Sequence, residues 1–412
     1  MMRKMPGLLK AYGVEIEYMI VRAGSLDVLP ASDEVLKKLT GRYANDAEIG
    51  PLGLSNEFVL HVLEMKNTDP VSGLSGLGKL FDEGVSVLNG LLEPMGARLM
   101  PAAMHPWMDP AKETRLWPHG YARVYRTYDR IFNCSRHGWA NIQSMQLNIS
   151  FGDEAGFASL HSAARFLLPI IPALAASSPI VEGKVTGLLD SRLLWYRDNQ
   201  RIAPSITGAV VPEPVYSYAG YRQEVLERMY REMEVHDPEG ILRHEWLNSR
   251  GAIPKFERKA IEIRLPDMQE CPAADMAVAA AMVSVIRALV TGRWSDAGEI
   301  SRWGVEPLVK LLEETIRSGE RAVIDDAAYL KCLAFPRKKA LASELWRHLA
   351  EATIKAEDLE APAFEALEVI LEQGTLATRI LRALGKNPSH GCIKEVYGRL
   401  CDCLAGGVSF LP

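Results

Sequence analysis

The sequence predicts an α+β fold, with a strand-bearing body over residues 1–290 and a helical extension over residues 291–412 packed on it. Three observations predict it. Residues 13–21, 141–151 and 260–267 alternate apolar with polar side chains, the two-residue period of a strand with one buried face, and residues 54–67 are a further candidate strand. Between them, residues 71–92, 221–233 and 272–290 carry apolar side chains at helical spacing. Beyond Trp294 the six periodic runs between Glu306 and Leu404 are all helical.

The first stretch, Gly13-Val14-Glu15-Ile16-Glu17-Tyr18-Met19-Ile20-Val21, organises the rest. As a strand it presents Val14, Ile16, Tyr18 and Ile20 on one face, and Glu15 and Glu17 on the other. Two carboxylates roughly 7 Å apart on a flat face repel each other. Solvent over an edge strand relieves that repulsion. So does a floor of bound divalent cations, because Mg²⁺ takes carboxylate oxygens together with substrate phosphates. The stretch alone leaves both readings open.

Residues 22–30 read as a turn region, and Ser32-Asp33-Glu34 as the start of a short helix. Residues 54–67 read as a second strand bearing Glu57 and Glu64. Seven residues apart on an ideal strand, these acids fall on opposite faces, so convergence requires Glu57 to precede the strand or sit at a bulge. His61 beside them reads as a structural histidine. After the helix over 71–92, residues 97–101 form a short strand running into His105-Pro106-Trp107. Active-site loops lie at such strand ends, although packing of Trp107 explains the motif equally well. Residues 121–132 are dense in arginine and tyrosine. Most of those arginines read as a solvated helix face, while one or two could pair with an anionic ligand.

Residues 141–151 set Ser144, Gln146, Asn148 and Ser150 against Met145, Leu147, Ile149 and Phe151, a polar face that suggests use. A helix over 157–174 is expected to kink or break at Pro169 and Pro172. A loop of small residues and turn formers over 176–187 leads to Asp190-Ser191-Arg192. In the last strand Glu262 and Arg264 share a face opposite Ile261, Ile263 and Leu265. A local surface pair of that kind is worth little by itself, yet it repeats the pattern of the earlier strands. The helix over 272–290 is expected to close the core.

A net charge of −5 and a pI near 6.1 argue against nucleic acid as a partner, because no basic surplus displaces counterions. Six scattered cysteines suit a reducing cytoplasm, and Cys401-Asp402-Cys403 lacks a second pair at zinc-site spacing. Residues 1–10 carry no apolar run of signal-peptide length. Prolines interrupt 166–180, and 273–290 carries Asp275 and Arg287, so neither offers the ~20 uncharged residues of a membrane span. A soluble, cytoplasmic protein without a membrane partner is expected. The helical extension is expected to support the core and to offer a homo-oligomer contact.

Six pieces in order then carry a resemblance. They are Gly13-Val14-Glu15-Ile16-Glu17, Asn56-Glu57 through Val62-Leu63-Glu64-Met65, Met104-His105-Pro106, and Ser144-Met145-Gln146-Leu147-Asn148. Ala175-Ala176-Ser177-Ser178-Pro179-Ile180-Val181-Glu182-Gly183-Lys184 and Ile261-Glu262-Ile263-Arg264 follow. Together they resemble the glutamate–cysteine ligase family, carboxylate–amine ligases that share the glutamine synthetase fold, over roughly residues 12–290. The resemblance implies a curved, mainly antiparallel sheet with helices on its outer face and the site in the concave one. It implies that Glu15, Glu17, Glu57, Glu64 and Glu262 hold Mg²⁺ (or Mn²⁺), with Gln146 in the same set as a weaker amide ligand. Arg264 and Lys184 would meet ATP, with Arg264 and Glu64 taking catalytic roles. His105, Arg126, Asn148 and Arg192 would meet the substrates.

The chemistry implied is glutamate's γ-carboxylate made reactive as an acyl phosphate and attacked by an amine, cysteine being the default acceptor. Phosphoryl transfer needs charge neutralisation rather than a protein nucleophile, so the absence of a Ser/His or Cys/His motif is consistent with it. Three alternatives remain: another amine acceptor, a metal-dependent hydrolase, and a silent relative that binds nucleotide as a sensor. ADP release dependent on both substrates separates them.

Overall fold

The computed structural model describes residues 6–354 and 359–412, so the first five residues of the N-terminal stretch discussed above lie outside it. Ten strands precede residue 290: β1 (Tyr12–Arg22), β2 (Asp46–Ile49), β3 (Leu52–Asn56), β4 (Val62–Asn67), β5 (Ala97–Met100), β6 (Met145–Ser150), β7 (Ile180–Val181), β8 (Lys184–Val185), β9 (Ala252–Lys255) and β10 (Ala260–Ile263). Eight of them form one open sheet in the order β2-β3-β4-β1-β6-β10-β9, with β5 added to β1. Every pairing in it is antiparallel. At 11 residues β1 is long enough to serve three neighbours. Residues Glu15–Met19 pair with β4 on one edge, while β6 and β5 share the other.

The expected second strand proves to be two. β3 ends at Asn56 and β4 starts at Val62, with Glu57 on the connection between them. Strand parity therefore places no constraint on Glu57, and the conflict in its spacing to Glu64 disappears. The proline-rich helix also divides, into Glu154–Leu167, a 3₁₀ turn at Leu168–Ile170 and a last turn at Pro172–Ala175. Each break falls where a proline lacks the N–H that would continue the ladder. In the extension, β11 (Val323–Ile324) pairs with β12 (Ala340–Leu341). Two residues per strand carry no readable period, which is why the sequence shows only helices there.

Val14, Ile16, Tyr18 and Ile20 are buried with Phe81, Val85 and Leu88 of the helix Leu77–Leu92. Gly84 permits that approach, since a Cβ there would lie 2.4 Å from Met65 Sδ and 2.6 Å from Leu52 Cδ1. The helix Pro272–Val290 packs on Leu77–Leu92 and Glu154–Leu167 from the body, and on Ala342–Thr353 and Ala361–Gln373 from the extension. Its length and composition would suffice to cross a membrane, but 89% of its apolar window is buried inside the fold. A helix that is apolar all round and enclosed this way is a core helix. With these helices on the face of Val14, Ile16, Tyr18 and Ile20, the face of Glu15 and Glu17 is left to carry the site.

Candidate active site

Cross-strand register decides which polar side chains share a face. Glu17 opposes Glu64, which opposes Ser55 on its far side. Glu15 opposes Lys66 and Gln146, and Asn148 opposes Glu262. Directly opposed residues point the same way, so four acids from three strands stand on one face. Glu57 reaches them from the β3–β4 connection. Carboxylate oxygens of Glu17, Glu57 and Glu64 lie within 4.8 Å of one another. A set of hard oxygen donors is what Mg²⁺ and Mn²⁺ take, so the residues present fit such an ion.

The surroundings of each acid differ. Ser144 donates its backbone N–H (2.7 Å) and hydroxyl (3.2 Å) to Glu17 Oε2, and Gln146 Nε2 donates to Oε1 at 2.9 Å. Gln146 is thus turned to Glu17 as a hydrogen-bond donor. Burial, and then the Glu64 carboxylate, nonetheless push Glu17 up to about 7. Burial first also raises Glu15, with Glu64 and Glu262 adding to it, and raises Glu57, with Glu17 and Glu64 adding to it. Burial is also the largest influence on Glu64 and would raise it, but the Lys66 charge and hydrogen bonds from Glu15, Lys66 and Ser55 together hold that carboxyl below its usual range. Lys66 Nζ lies 2.6 Å from Glu64 Oε1, and Ser55 Oγ donates to the same oxygen at 2.7 Å. Glu262 is opposed to burial by Arg264 and by Lys255 at 3.2 Å, which hold it at about 2. Its carboxylate is occupied by these two cations and stands outside the converging three.

A carboxyl whose folded pKa is raised keeps a proton that the unfolded chain has released, so its contribution to stability is lost as pH rises through the folded value. For Glu17 that window runs from 4.5 to about 7, and Glu15 and Glu57 act in the same direction. Glu64 and Glu262, both lowered, act only below the ordinary carboxylate range. With divalent ions chelated, Tm is expected to fall between about pH 4.5 and about pH 7. Mg²⁺ is expected to remove that fall and to release protons on binding near neutrality. Scanning fluorimetry with EDTA or Mg²⁺, and calorimetry in two buffers of different ionisation heat, read the two effects. A Tm that rises over this range in EDTA would contradict the charge assignment.

Beside Glu17 and Glu57 opens a cavity of ≈ 220 Å³. Phe58, Tyr125, Tyr128, Trp139, Tyr196 and Trp246 form an aromatic wall, and Arg192, Arg264, Ser144 and Gln146 are part of its polar lining, with Asn199, Gln200 and Ser249. Phe58 meets Tyr125 edge-on at 5.0 Å, and Tyr128 lies 5.2 Å from Trp139. Arg192 is buried and donates through Nε to Asp267 Oδ1 at 2.5 Å. Arg264 pairs with Glu262 and interacts with the Tyr196 hydroxyl, while its buried Nε makes no protein hydrogen bond of normal geometry.

Four expected substrate or nucleotide contacts are placed elsewhere. His105 is buried, with Nε2 2.8 Å from Leu26 O and Nδ1 accepting from Met108 N at 3.0 Å. Both ring nitrogens are spent on backbone, and burial depresses the ring to about 4, so it is a neutral structural residue. Arg126 is exposed on the helix Ala122–Phe132, whose opposite side brings Tyr125 and Tyr128 to the cavity. Lys184 is exposed on the β7–β8 hairpin, outside the cavity lining. Asn148 stands on the acid face but donates to Glu15 Oε1 at 2.8 Å and does not line the cavity. Sequence reasoning passed over Lys66, Lys255, Asp267 and the aromatic wall. Lys66 carried a usable signal, since it lies two residues from Glu64 and therefore on its face.

The glutamate–cysteine ligase family 2 profile matches residues 11–399. An uncharacterised protein of Archaeoglobus fulgidus is 35% identical over 369 residues, 90% of this chain and 92% of its own length. A Nocardioides sp. protein whose name is a provisional glutamate–cysteine ligase 2-1 is 26% identical over 408 residues, 95% of this chain and 96% of its own. Among solved structures, glutamate–cysteine ligase of Francisella tularensis in complex with AMP is similar with a TM-score of 0.64 at 14% identity, over 98% of this chain and 90% of that one. That last likeness speaks to the fold: an open, mainly antiparallel sheet with helices packed on it. The chain belongs to glutamate–cysteine ligase family 2, a family of carboxylate–amine ligases.

Proposed function

We propose that this protein is an ATP- and Mg²⁺-dependent ligase that joins the γ-carboxylate of glutamate to an amine through an acyl phosphate, with cysteine as the default acceptor. The observation that carries this reading is the convergence of Glu17, Glu57 and Glu64 within 4.8 Å at the rim of a cavity that also presents Arg192 and Arg264. Glu17, Glu57 and Glu64 would hold the cations, with Glu15 beside them. Bound divalent ions supply neutralisation of the β- and γ-phosphate oxygens during phosphoryl transfer.

The chain's own residues supply the rest. Arg264, fixed by Glu262 and beside the Tyr196 hydroxyl, would offer its guanidinium to a phosphate oxygen. Arg192 offers a guanidinium to an amino-acid carboxylate on the same cavity. The aromatic wall keeps water from the activated carboxyl, which would otherwise be hydrolysed. Holding donor and acceptor in line then supplies much of the rate. In the first step a carboxylate oxygen bonds to the γ-phosphorus and ADP leaves. In the second the amine nitrogen bonds to the acyl carbon and phosphate leaves.

A panel of amino acids and amines, scored by ADP release with Mg²⁺ or Mn²⁺, tests the reading. ADP is expected when glutamate and an amine are present together. ADP with a different pair would keep the ligase class and replace the substrate. Product without nucleotide would transfer the site to metal-dependent hydrolysis.

A further inference from the structure

Ser177-Ser178-Pro179 does not line the cavity and takes no part in the chemistry above. Its contacts nevertheless converge on a residue that does line it. Asp267, 1% exposed, lies just beyond β10 and bridges through its backbone to Ser144, the residue that donates to Glu17. Asp267 Oδ1 accepts from Arg192 Nε at 2.5 Å. Asp267 Oδ2 accepts from the Ser177 N–H and from the Ser178 hydroxyl, each at 2.8 Å. The Ser178 oxygen in turn accepts from the Arg192 backbone N–H at 3.1 Å. Ser178 therefore grips Arg192 twice, at its backbone directly and at its guanidinium through Asp267. Arg192 Nη2 is held by Leu265 O, and more weakly by Arg264 O at 3.4 Å. A guanidinium has five N–H donors in one plane. With Nε and Nη2 tied to protein, Nη1 is the end available to a ligand.

We propose that Asp267 and Ser178 are positioning residues that lock Arg192 so that it reads the free α-carboxylate of the amino-acid substrate, making the enzyme selective for the acid over its α-ester. The inference rests on the ligase reading above and adds to it the part of the substrate that Arg192 recognises. The advantage is pre-organisation: a planar fork held before binding loses less freedom when its partner arrives. Charge alone makes the opposite prediction. Removing the Asp267 carboxylate takes a competing anion from Arg192 and would tighten carboxylate binding, whereas loss of position weakens it.

The test compares L-glutamate with L-glutamate α-methyl ester in the wild type, Asp267→Asn and Ser178→Ala, with KM for ATP and the thermal midpoint recorded alongside. Asp267→Asn is expected to raise KM for glutamate about tenfold or more, the scale of one hydrogen bond to a charged group. KM for ATP should stay within about twofold, and the preference for acid over ester should collapse. Ser178→Ala should move the same quantities in the same direction by a smaller factor, and it decides the matter if Asp267→Asn does not fold. A merely structural role would lower the midpoint and kcat and leave the acid-to-ester preference intact, which would overturn the proposal. A fall in KM for glutamate would overturn it as well. A wild type that releases ADP with glutamate and shows no preference for the acid would remove this inference alone. A wild type that releases no ADP with glutamate would remove the glutamate ligase reading and this inference with it.

Discussion

Glu64→Gln is expected to bring Mg²⁺-dependent ATP turnover down to background while the chain stays folded. Of the converging three, Glu64 alone is lowered rather than raised, because the Lys66 charge and hydrogen bonds from Glu15, Lys66 and Ser55 together exceed the effect of its burial. The substitution keeps the shape and the contact with Ser55 but removes the charge that a hard cation needs. It also relieves repulsion on Glu17 and Glu57, both raised in part by Glu64. That relief offsets the lost pairing with Lys66, so Tm in EDTA should move by only a few degrees. ADP release at saturating Mg²⁺ and a thermal melt measure the two quantities. Retention of full Mg²⁺-dependent turnover would show that these carboxylates do not hold the catalytic cation.

Arg264→Lys is expected to lower turnover on the order of a hundredfold, the scale on which removing one pre-organised donor slows an enzyme. The arginine does two things at once: it holds Glu262 and presents the rest of its guanidinium, beside the Tyr196 hydroxyl, to the cavity. A lysine ammonium carries the charge but has no planar fork, so it can satisfy Glu262 or a phosphate and not both in this geometry. Lys255 remains on Glu262 at 3.2 Å, which protects the fold in the variant. Single-turnover ATP cleavage gives the reading, and an unchanged rate would take Arg264 out of the chemistry.

The acid face was legible to different depths along the chain. Glu15 and Glu17 could be assigned to one face from β1 alone, because strand alternation is a local property. Glu57 and Glu64 could not, since their spacing conflicted with one strand until the chain was seen to turn between β3 and β4. His105 drew attention as a histidine at a strand end, yet its surroundings make it a backbone anchor. In the helix Ala122–Phe132 most arginines read as a solvated face and one or two as partners for an anion, while Tyr125 and Tyr128, on the side turned inward, are the residues at the cavity. The aromatic wall was out of reach because Phe58, Trp139, Tyr196 and Trp246 come from segments with no common period.

By itself the sequence determined which side chains leave each strand together, that an acidic and an apolar face would be back to back, and that the last third would be mainly helical. These follow from spacing, and spacing is written in the order of residues. Only the tertiary structure decided which strands lie side by side, and therefore that Glu17 faces Glu64 while Glu262 is taken by Arg264 and Lys255. It also decided which carboxyls hold protons near neutrality, because a pKa depends on distances in space and on the water excluded around a group.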